Sequence, residues 1–318
     1  MALFAFLNKK QKSAGLAGIS QSEQGLAMAK ILRIPDQKPV LQHCEFMLCE
    51  ELEKNAKSGK LEKVPFTAVM PSGEFSMQLL DAPLVESAEM QTAVRWKIKD
   101  MIDYSLDDAI VDVFEIPGLK EKGRTPQVYA VYAHRNSVQS QVDLFENAGL
   151  NLQYIDIPEL AQRNIASLLE EDEKGVALLR FNAQSGLITL TQQGTLYLAR
   201  ELDAGYQVLA DLGVIPDQES TDFDAMESDA QRAMNAVVLE IQRSLDYYES
   251  HFAKAPITRL VIAPMEIEIP GLADYINKSL GLKVSMLDLN SIIQPDAPLD
   301  SKMQAQCFYA IGAALREE

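Results

Sequence analysis

The chain predicts an α/β fold, and three observations carry that prediction. Residues 228–289 read as helix, strand, helix, strand. Residues 175–200 read as three short strands joined by turns. The composition, 47% hydrophobic and 24% charged over 318 residues, is globular, with room for one large domain or two ordinary ones.

The first pattern is the clearest. Ser228 followed three residues later by Gln231 is a capping-box signature. Ala230, Met234, Val237, Val238, Ile241, Leu245, Tyr248 and Phe252 then recur at helical spacing, so a long helix with one buried face is expected. Pro256 helps end it, and residues 260–262 are a short apolar strand. Pro270-Gly271 opens a second helix that runs to Leu280, Gly281 caps it, and residues 283–286 form the next strand.

From the start of the chain, residues 1–10 are an apolar peptide followed by Lys9 and Lys10, a pattern that suits a membrane surface or a docking partner. It is too short to anchor alone, and a lightly packed leader is the reading taken. Residues 15–25 leading into 26–32 read as a first hairpin. Residues 41–57 have apolar positions at helical spacing, with Glu45, Glu50, Glu51 and Glu53 on a solvated face. Residues 65–70 and 75–80 flank Pro71-Ser72-Gly73-Glu74, which predicts a hairpin. Residues 86–102 are a helical pattern containing Arg95-Trp96-Lys97, and a strand follows over Asp112, Val113 and Phe114. For Trp96, the only tryptophan, core packing is favoured over a place in a binding groove.

Further on, residues 127–133 are a strand, 137–148 a helix stopped by Gly149, 152–157 a strand and 160–169 a helix. An acidic turn at 170–174 leads to the three-strand meander, whose second turn is Gln193-Gly194. Arg180 within its first strand is read as an edge or salt-bridged residue with a structural role. Asp217, Glu219, Asp222, Asp224, Glu227 and Asp229 crowd one connection. They lack the Gly and terminal Glu spacing of a calcium loop, so a solvated loop is expected. Residues 303–315 close the chain as a helix with Cys307, Ala310, Ile311 and Ala314 on one face.

Charge and motif counts narrow the function. With 46 acidic against 29 basic residues the net charge is −17, which argues against a nucleic-acid-coating surface. No apolar run approaches a membrane span, and residues 1–7 are too short for a signal-sequence core, so a cytoplasmic location is expected. Cys44, Cys49 and Cys307 are odd in number and without C-x-x-C spacing, and His43 beside Cys44 is only a weak metal hint, so neither a disulfide framework nor a metal site is expected. No Gly-x-Ser-x-Gly, no Walker-type Gly-Lys-Ser and no nucleophile with a local base occurs, and no catalytic residue is assigned.

Three stretches follow one another late in the chain: Glu240-Ile241-Gln242-Arg243-Ser244-Leu245-Asp246-Tyr247-Tyr248, then Ile257-Thr258-Arg259-Leu260-Val261-Ile262, then Ile269-Pro270-Gly271-Leu272-Ala273-Asp274-Tyr275-Ile276. Earlier, the Arg95-Trp96 helix leads to Tyr104-Ser105-Leu106-Asp107-Asp108 and a strand, and Tyr154-Ile155-Asp156-Ile157-Pro158-Glu159-Leu160-Ala161 follows. The chain closes with Ala310-Ile311-Gly312-Ala313-Ala314-Leu315-Arg316. In order, these resemble the PilM and MshI family of bacterial type IV pilus assembly proteins, with MshI, of MSHA-type pili, the nearer branch.

The resemblance implies a two-lobed, actin-like ATPase fold of the FtsA kind. Residues 1–13 would be a leader and 14–174 the first lobe, with a small α/β subdomain inserted at about 82–158. Residues 175–304 would be the second lobe and 305–318 a closing helix returning to the first. The partner implied is the cytoplasmic tail of a PilN-like inner-membrane protein, lying near Arg95, Trp96 and the strand Asp112, Val113 and Phe114 by strand or peptide addition. Other pilus assembly proteins and self-association belong to the same picture, with the chain peripheral to the inner membrane.

The nucleotide loops of such folds depart from their pattern here. Ser20 and Ser22 stand where an Asp and a Gly are expected, and Arg180 and Asn182 stand where the second loop has Asp and Gly, with Ser185 and Gly186 following. The third turn, residues 263–268, has no Gly but has Pro264, Glu266 and Glu268. Proline lacks the N–H that would cradle phosphate, and carboxylates repel it. No ATP or Mg²⁺ is therefore expected as cofactor, and no enzyme activity. The alternative is a nucleotide-binding actin-like switch or weak ATPase in pilus or type II secretion assembly. The type II secretion component of similar architecture is disfavoured, because that family continues into a membrane span where this chain stops at Glu318.

Overall fold

The computed structural model describes residues 16–35, 37–52, 64–117, 126–210 and 229–317. The leader at 1–13, the basic stretch 120–124, residues 53–57, the acidic connection from 217 and the Ser228 cap lie outside them.

Two sheets share one topology. In the first, β1 (Leu16–Ser22), β2 (Gly25–Leu32) and β3 (Val40–Met47) form an antiparallel meander. β4 (Pro65–Val69) then adds parallel to β1, and β8 (Asn151–Asp156) adds parallel to β4. Between β4 and β8 the chain leaves this sheet. It makes β5 (Phe75–Asp81), helix α1 (Ser87–Lys97), β6 (Ala109–Glu115), β7 (Gln127–His134) and α2 (Arg135–Asn147), with β5, β7 and β6 forming a separate antiparallel sheet in that order.

Helix α3 (Pro158–Ala166) leads into the second lobe. There β9 (Val176–Phe181), β10 (Gly186–Gln192) and β11 (Thr195–Leu202) repeat the meander. After α4 (Tyr206–Ala210) and the long α5 (Asp229–Phe252), β12 (Arg259–Ile262) adds parallel to β9. α6 (Leu272–Leu280) then precedes β13 (Lys283–Met286), which adds parallel to β12. The two strand orders, β3-β2-β1-β4-β8 and β11-β10-β9-β12-β13, are the same arrangement built twice. The chain ends with α7 (Leu289–Ile292), a two-residue β14 (Gln294–Pro295) that pairs with β3, and α8 (Ser301–Ala314).

The packing follows from side-chain alternation. On β2, Leu26 and Met28 face one core cluster, while Ala27, Ala29 and Ile31 face the cluster holding α8. Small residues on the helix side let α8 lie against the strands. A Cβ at Gly18 would meet the Ala310 carbonyl oxygen at 2.0 Å, and one at Gly312 would meet that of Ala161 at 2.2 Å. The cluster around α8 draws residues from both lobes, among them Ile31, Leu178, Val261 and Phe308, so this helix binds the lobes together. Asp300 caps it, its carboxylate accepting from the Met303 N–H at 2.7 Å. In α5 the expected stripe of Met234, Val237, Ile241, Leu245, Tyr248 and Phe252 is buried against the second sheet.

Three expectations need correction. Residues 41–47 belong to a strand and not to a helix spanning 41–57: they pair with β2, Leu41 and Met47 are buried, and His43 and Glu45, two apart on one strand face, sit 3.2 Å from each other. Their alternation fitted a period of two as well as a helix, and pairing with β2 decided it. Strands β4 and β5 are present but make no hairpin with each other, because β4 lies between β1 and β8 while β5 pairs with β7. Trp96 is no core residue, being 63% exposed on the outer face of α1. The small sheet also takes in Phe75–Asp81, upstream of the expected insert boundary near 82, while Asn151–Asp156 belongs to the first sheet.

Candidate functional site: the interlobe cleft and the small sheet

Of the loop positions singled out above, the structure gathers three. Asn182, Ser185 and Gly186 line a cleft of about 280 Å³ between the lobes, together with Ser72 and Gly73 of the β4–β5 connection, Phe75 at the start of β5 and Glu159 near the start of α3. The β9–β10 turn is held tightly. The Asn182 N–H donates to the Ser185 carbonyl at 2.7 Å, and the Asn182 carbonyl accepts from the Tyr206 N–H at 2.8 Å. Ser20, Ser22 and Pro264 do not line this cavity. Ser20 is buried between β4 and β2, the Ser22 hydroxyl donates to the Gly25 carbonyl, and Pro264 is buried in the second lobe.

Arg180 is not at a sheet edge and, among the described residues, has no salt-bridge partner, contrary to expectation. β9 is the central strand of its sheet, and the guanidinium rests 4.5 Å from the Tyr309 ring and 5.0 Å from the Phe308 ring. It also donates to the Ala305 carbonyl at 3.1 Å. A weakly hydrated planar cation is stable against aromatic faces without a carboxylate, which is why a central-strand position tolerates it.

Glu159 is a group that the sequence reading passed over. As a residue it is partly buried, but its Oε2 is shut from water and has no hydrogen-bond partner. Burial pushes its pKa up from 4.5 to about 7; the negative charges of Glu201 and Asp156 add to the rise, while a hydrogen bond from its own backbone opposes it. Asp156, three residues earlier, has a counter-ion in Arg316 at 2.8 Å. The signal in the sequence was a carboxylate directly after the helix-opening Pro158, at the junction of the lobes.

In the small sheet, β6 is an edge strand paired with β7 alone. Side chains of α1 cover part of that edge. Arg95 donates to the carbonyls of Ala109 and Leu106, and Gln91 donates to the Val111 carbonyl. The expected partner-binding residues therefore separate. Arg95 is engaged within the subdomain, Val113 packs into its core, and the Phe114 ring lies tilted 5.1 Å from that of Tyr129 and packs against the second-lobe core. Asp112 and Trp96 face solvent.

The small sheet also reaches the second lobe. The Tyr129 hydroxyl donates to the Tyr197 carbonyl at 2.9 Å, with burial pushing its pKa upward, and His251 lies 2.7 Å from Gln127 Oε1. A second cavity, of about 640 Å³, opens at one end of this sheet, with Leu84, Glu86, Met90, Glu115 and Ile116 in its wall. Among the described residues no three His, Cys, Asp or Glu side chains gather as a metal site, and no helix is long and apolar enough to cross a membrane.

Two duplicated lobes, a cleft between them and a closing helix that joins both define the class: this is an actin-like ATPase fold. The family model for the type IV pilus assembly protein PilM matches residues 48–318, so the chain belongs to the PilM family. Among solved structures it is similar to the PilM–PilN type IV pilus biogenesis complex, at 16% identity over 95% of this chain and 98% of that one, with a TM-score of 0.73. Weaker similarities are to the cytoplasmic domain of EpsL, an inner-membrane component of the type II secretion system of Vibrio cholerae (10% identity, 95% and 98% covered, TM-score 0.47) and to a Bacteroides thetaiotaomicron protein with an actin-like ATPase fold (11% identity, 94% and 97% covered, TM-score 0.46). Sequence comparison with curated proteins finds no match.

Proposed function

We propose that this type IV pilus assembly protein works at the cytoplasmic face of the inner membrane, in an MSHA-like pilus, as a scaffold that docks the tail of a PilN-like membrane protein without using ATP. Family membership supplies the assembly role. The observation that carries the docking is the small sheet, whose edge strand β6 is partly capped by α1, a helix that also carries the largely exposed Trp96. Tryptophan is enriched among binding hot spots, and a sheet edge can take an added peptide strand.

The cleft supports the absence of nucleotide. Its walls include Glu159, without a counter-ion among its hydrogen-bonded or paired neighbours, and Glu201, where a triphosphate would need cations. Asp is missing at Ser20, and the turn after β12 has no Gly and is closed by a buried Pro264. These departures favour a fold kept for docking.

Calorimetric titration tests both halves. A synthetic PilN-like tail is expected to bind and Mg²⁺-ATP to give no heat. Micromolar, magnesium-dependent ATP binding would restore the nucleotide switch, and a tail that binds Trp96→Ala as well as the parent would remove the assigned surface.

A further inference from the structure

Two cysteines far apart in sequence meet under the closing helix. Cys44 of β3 lies directly opposite Ala29 of β2, and Ala29 belongs to the cluster that packs on α8. Opposed residues on paired strands share a sheet face, so Cys44 also faces α8, and it packs against the same cluster. Cys307 of α8 is inside that cluster and fully buried. Its Sγ lies 3.7 Å from the carbonyl oxygen of Glu45, the residue after Cys44, and 3.4 Å from Met303 Sδ. The two thiols stand within hydrogen-bonding reach of each other. Cys49, by contrast, is exposed.

Their accessibility is unequal. Cys44 is half-buried and Cys307 is shut from water, so a dissolved reagent meets Cys44 first. The contact with Cys44 and then burial hold the Cys307 pKa above the usual thiol range, and modification of Cys44 removes the larger of these causes. The pair also sits at a joint that matters for the fold, because the cluster around α8 takes residues from both lobes.

We propose that Cys44 and Cys307 are a reversible redox pair, closed to a disulfide by a small-molecule disulfide such as oxidised glutathione, and that closure fixes α8 covalently on β3. The Cys44 thiolate attacks one sulfur of the small disulfide, forming a mixed disulfide and releasing one thiol. Cys307 Sγ then attacks Cys44 Sγ, its proton passes to the leaving thiolate, and the second thiol departs. Two protein thiols are oxidised by two electrons and the small disulfide is reduced to two thiols. Sulfur atoms already in contact close by side-chain rotation with little movement of the backbone. The inference is independent of what docks on the small sheet.

The test uses the full chain carrying Cys49→Ser, an exposed position where folding is safe, so that Cys44 and Cys307 are the remaining thiols. The folded protein is equilibrated in buffers of increasing oxidised-to-reduced glutathione ratio, alkylated and mapped by mass spectrometry. The peptides holding Cys44 and Cys307 are expected to become joined, and dithiothreitol to separate them. The joined form is expected to unfold at a Tm at least about 3 °C higher, since the bond closes a long loop.

Cys307→Ala, made in the same background, is expected to hold glutathione on Cys44 with no rise in Tm. Cys44→Ala, at a half-buried position, is expected to show neither a link nor a rise, and it keeps the comparison if the buried variant fails to fold. A Cys44 that stays unreactive, a persistent glutathione adduct on Cys44 beside a free Cys307, a link that forms only in urea, or a linked form with an unchanged Tm would each overturn the inference.

Discussion

The Arg180 guanidinium lies 4.5 Å from the ring of Tyr309, which joins the central strand of the second lobe to the helix that closes the first. The contact also includes the Phe308 ring and the Ala305 carbonyl. Replacing Arg180 with Ala removes a partly desolvated cation–π stack and a charged hydrogen bond, and should cost about 1–3 kcal/mol in urea unfolding. Arg180→Lys should recover only part of that, since an ammonium cannot stack flat on a ring. A lysine variant as stable as the parent would show that charge alone matters here.

Gly312 tests how closely α8 packs on α3. In a helix interior Gly→Ala ordinarily stabilises by about 1 kcal/mol. Here the added Cβ would stand 2.2 Å from the Ala161 carbonyl oxygen of α3, a backbone atom that cannot swing aside. Overpacking of this kind costs about 1–3 kcal/mol or more, so the net effect of Gly312→Ala should be destabilising, read as a lowered Tm. A raised Tm would mean that α3 and α8 separate easily.

Much of this architecture was legible, and the failures have physical causes. The stripe from Met234 to Phe252, the Gln193-Gly194 turn (φ 52° and 69°) and the Gly281 cap (φ 67°) are local signals, and each formed as read. Pairing between distant strands is not local. Residues 41–47 became a strand because β2 was there to pair with them, and the two strands beside Pro71-Ser72 went to different sheets. At the candidate site, Asn182, Ser185 and Gly186 of the β9–β10 turn line the interlobe cavity. Nothing nearby in sequence showed that Asp156 would be neutralised by Arg316, 160 positions away, while Glu159 would not.

Trp96 and Arg95 are neighbours in sequence with opposite expectations. Trp96 is largely exposed, so Trp96→Ala should leave stability within about 0.5 kcal/mol while weakening a bound PilN-like tail at least tenfold. Arg95 holds the Ala109 and Leu106 carbonyls, and Arg95→Ala should cost about 1–3 kcal/mol by uncapping them. Thermal denaturation separates the two, and tail binding measured well below each Tm completes the comparison. A destabilised Trp96→Ala would place the indole in the fold and not at a docking surface.

Glu159 should give the protein a pH signature that a single substitution isolates. Its pKa is raised on folding from 4.5 to about 7, so between those values the native state holds a proton that the unfolded chain gives up. Its contribution is therefore fully present below the lower value and is lost as pH rises to about 7. Above that, the buried charge is carried at a cost of at most about 3 kcal/mol. Glutamine keeps the shape and cannot ionise. Glu159→Gln should match the parent near pH 4 and exceed it in stability above pH 7, with the gap opening between. Urea unfolding at a series of pH values measures this directly, and a gap that stays flat across the window would mean that Glu159 ionises as freely in the folded protein as in the unfolded chain.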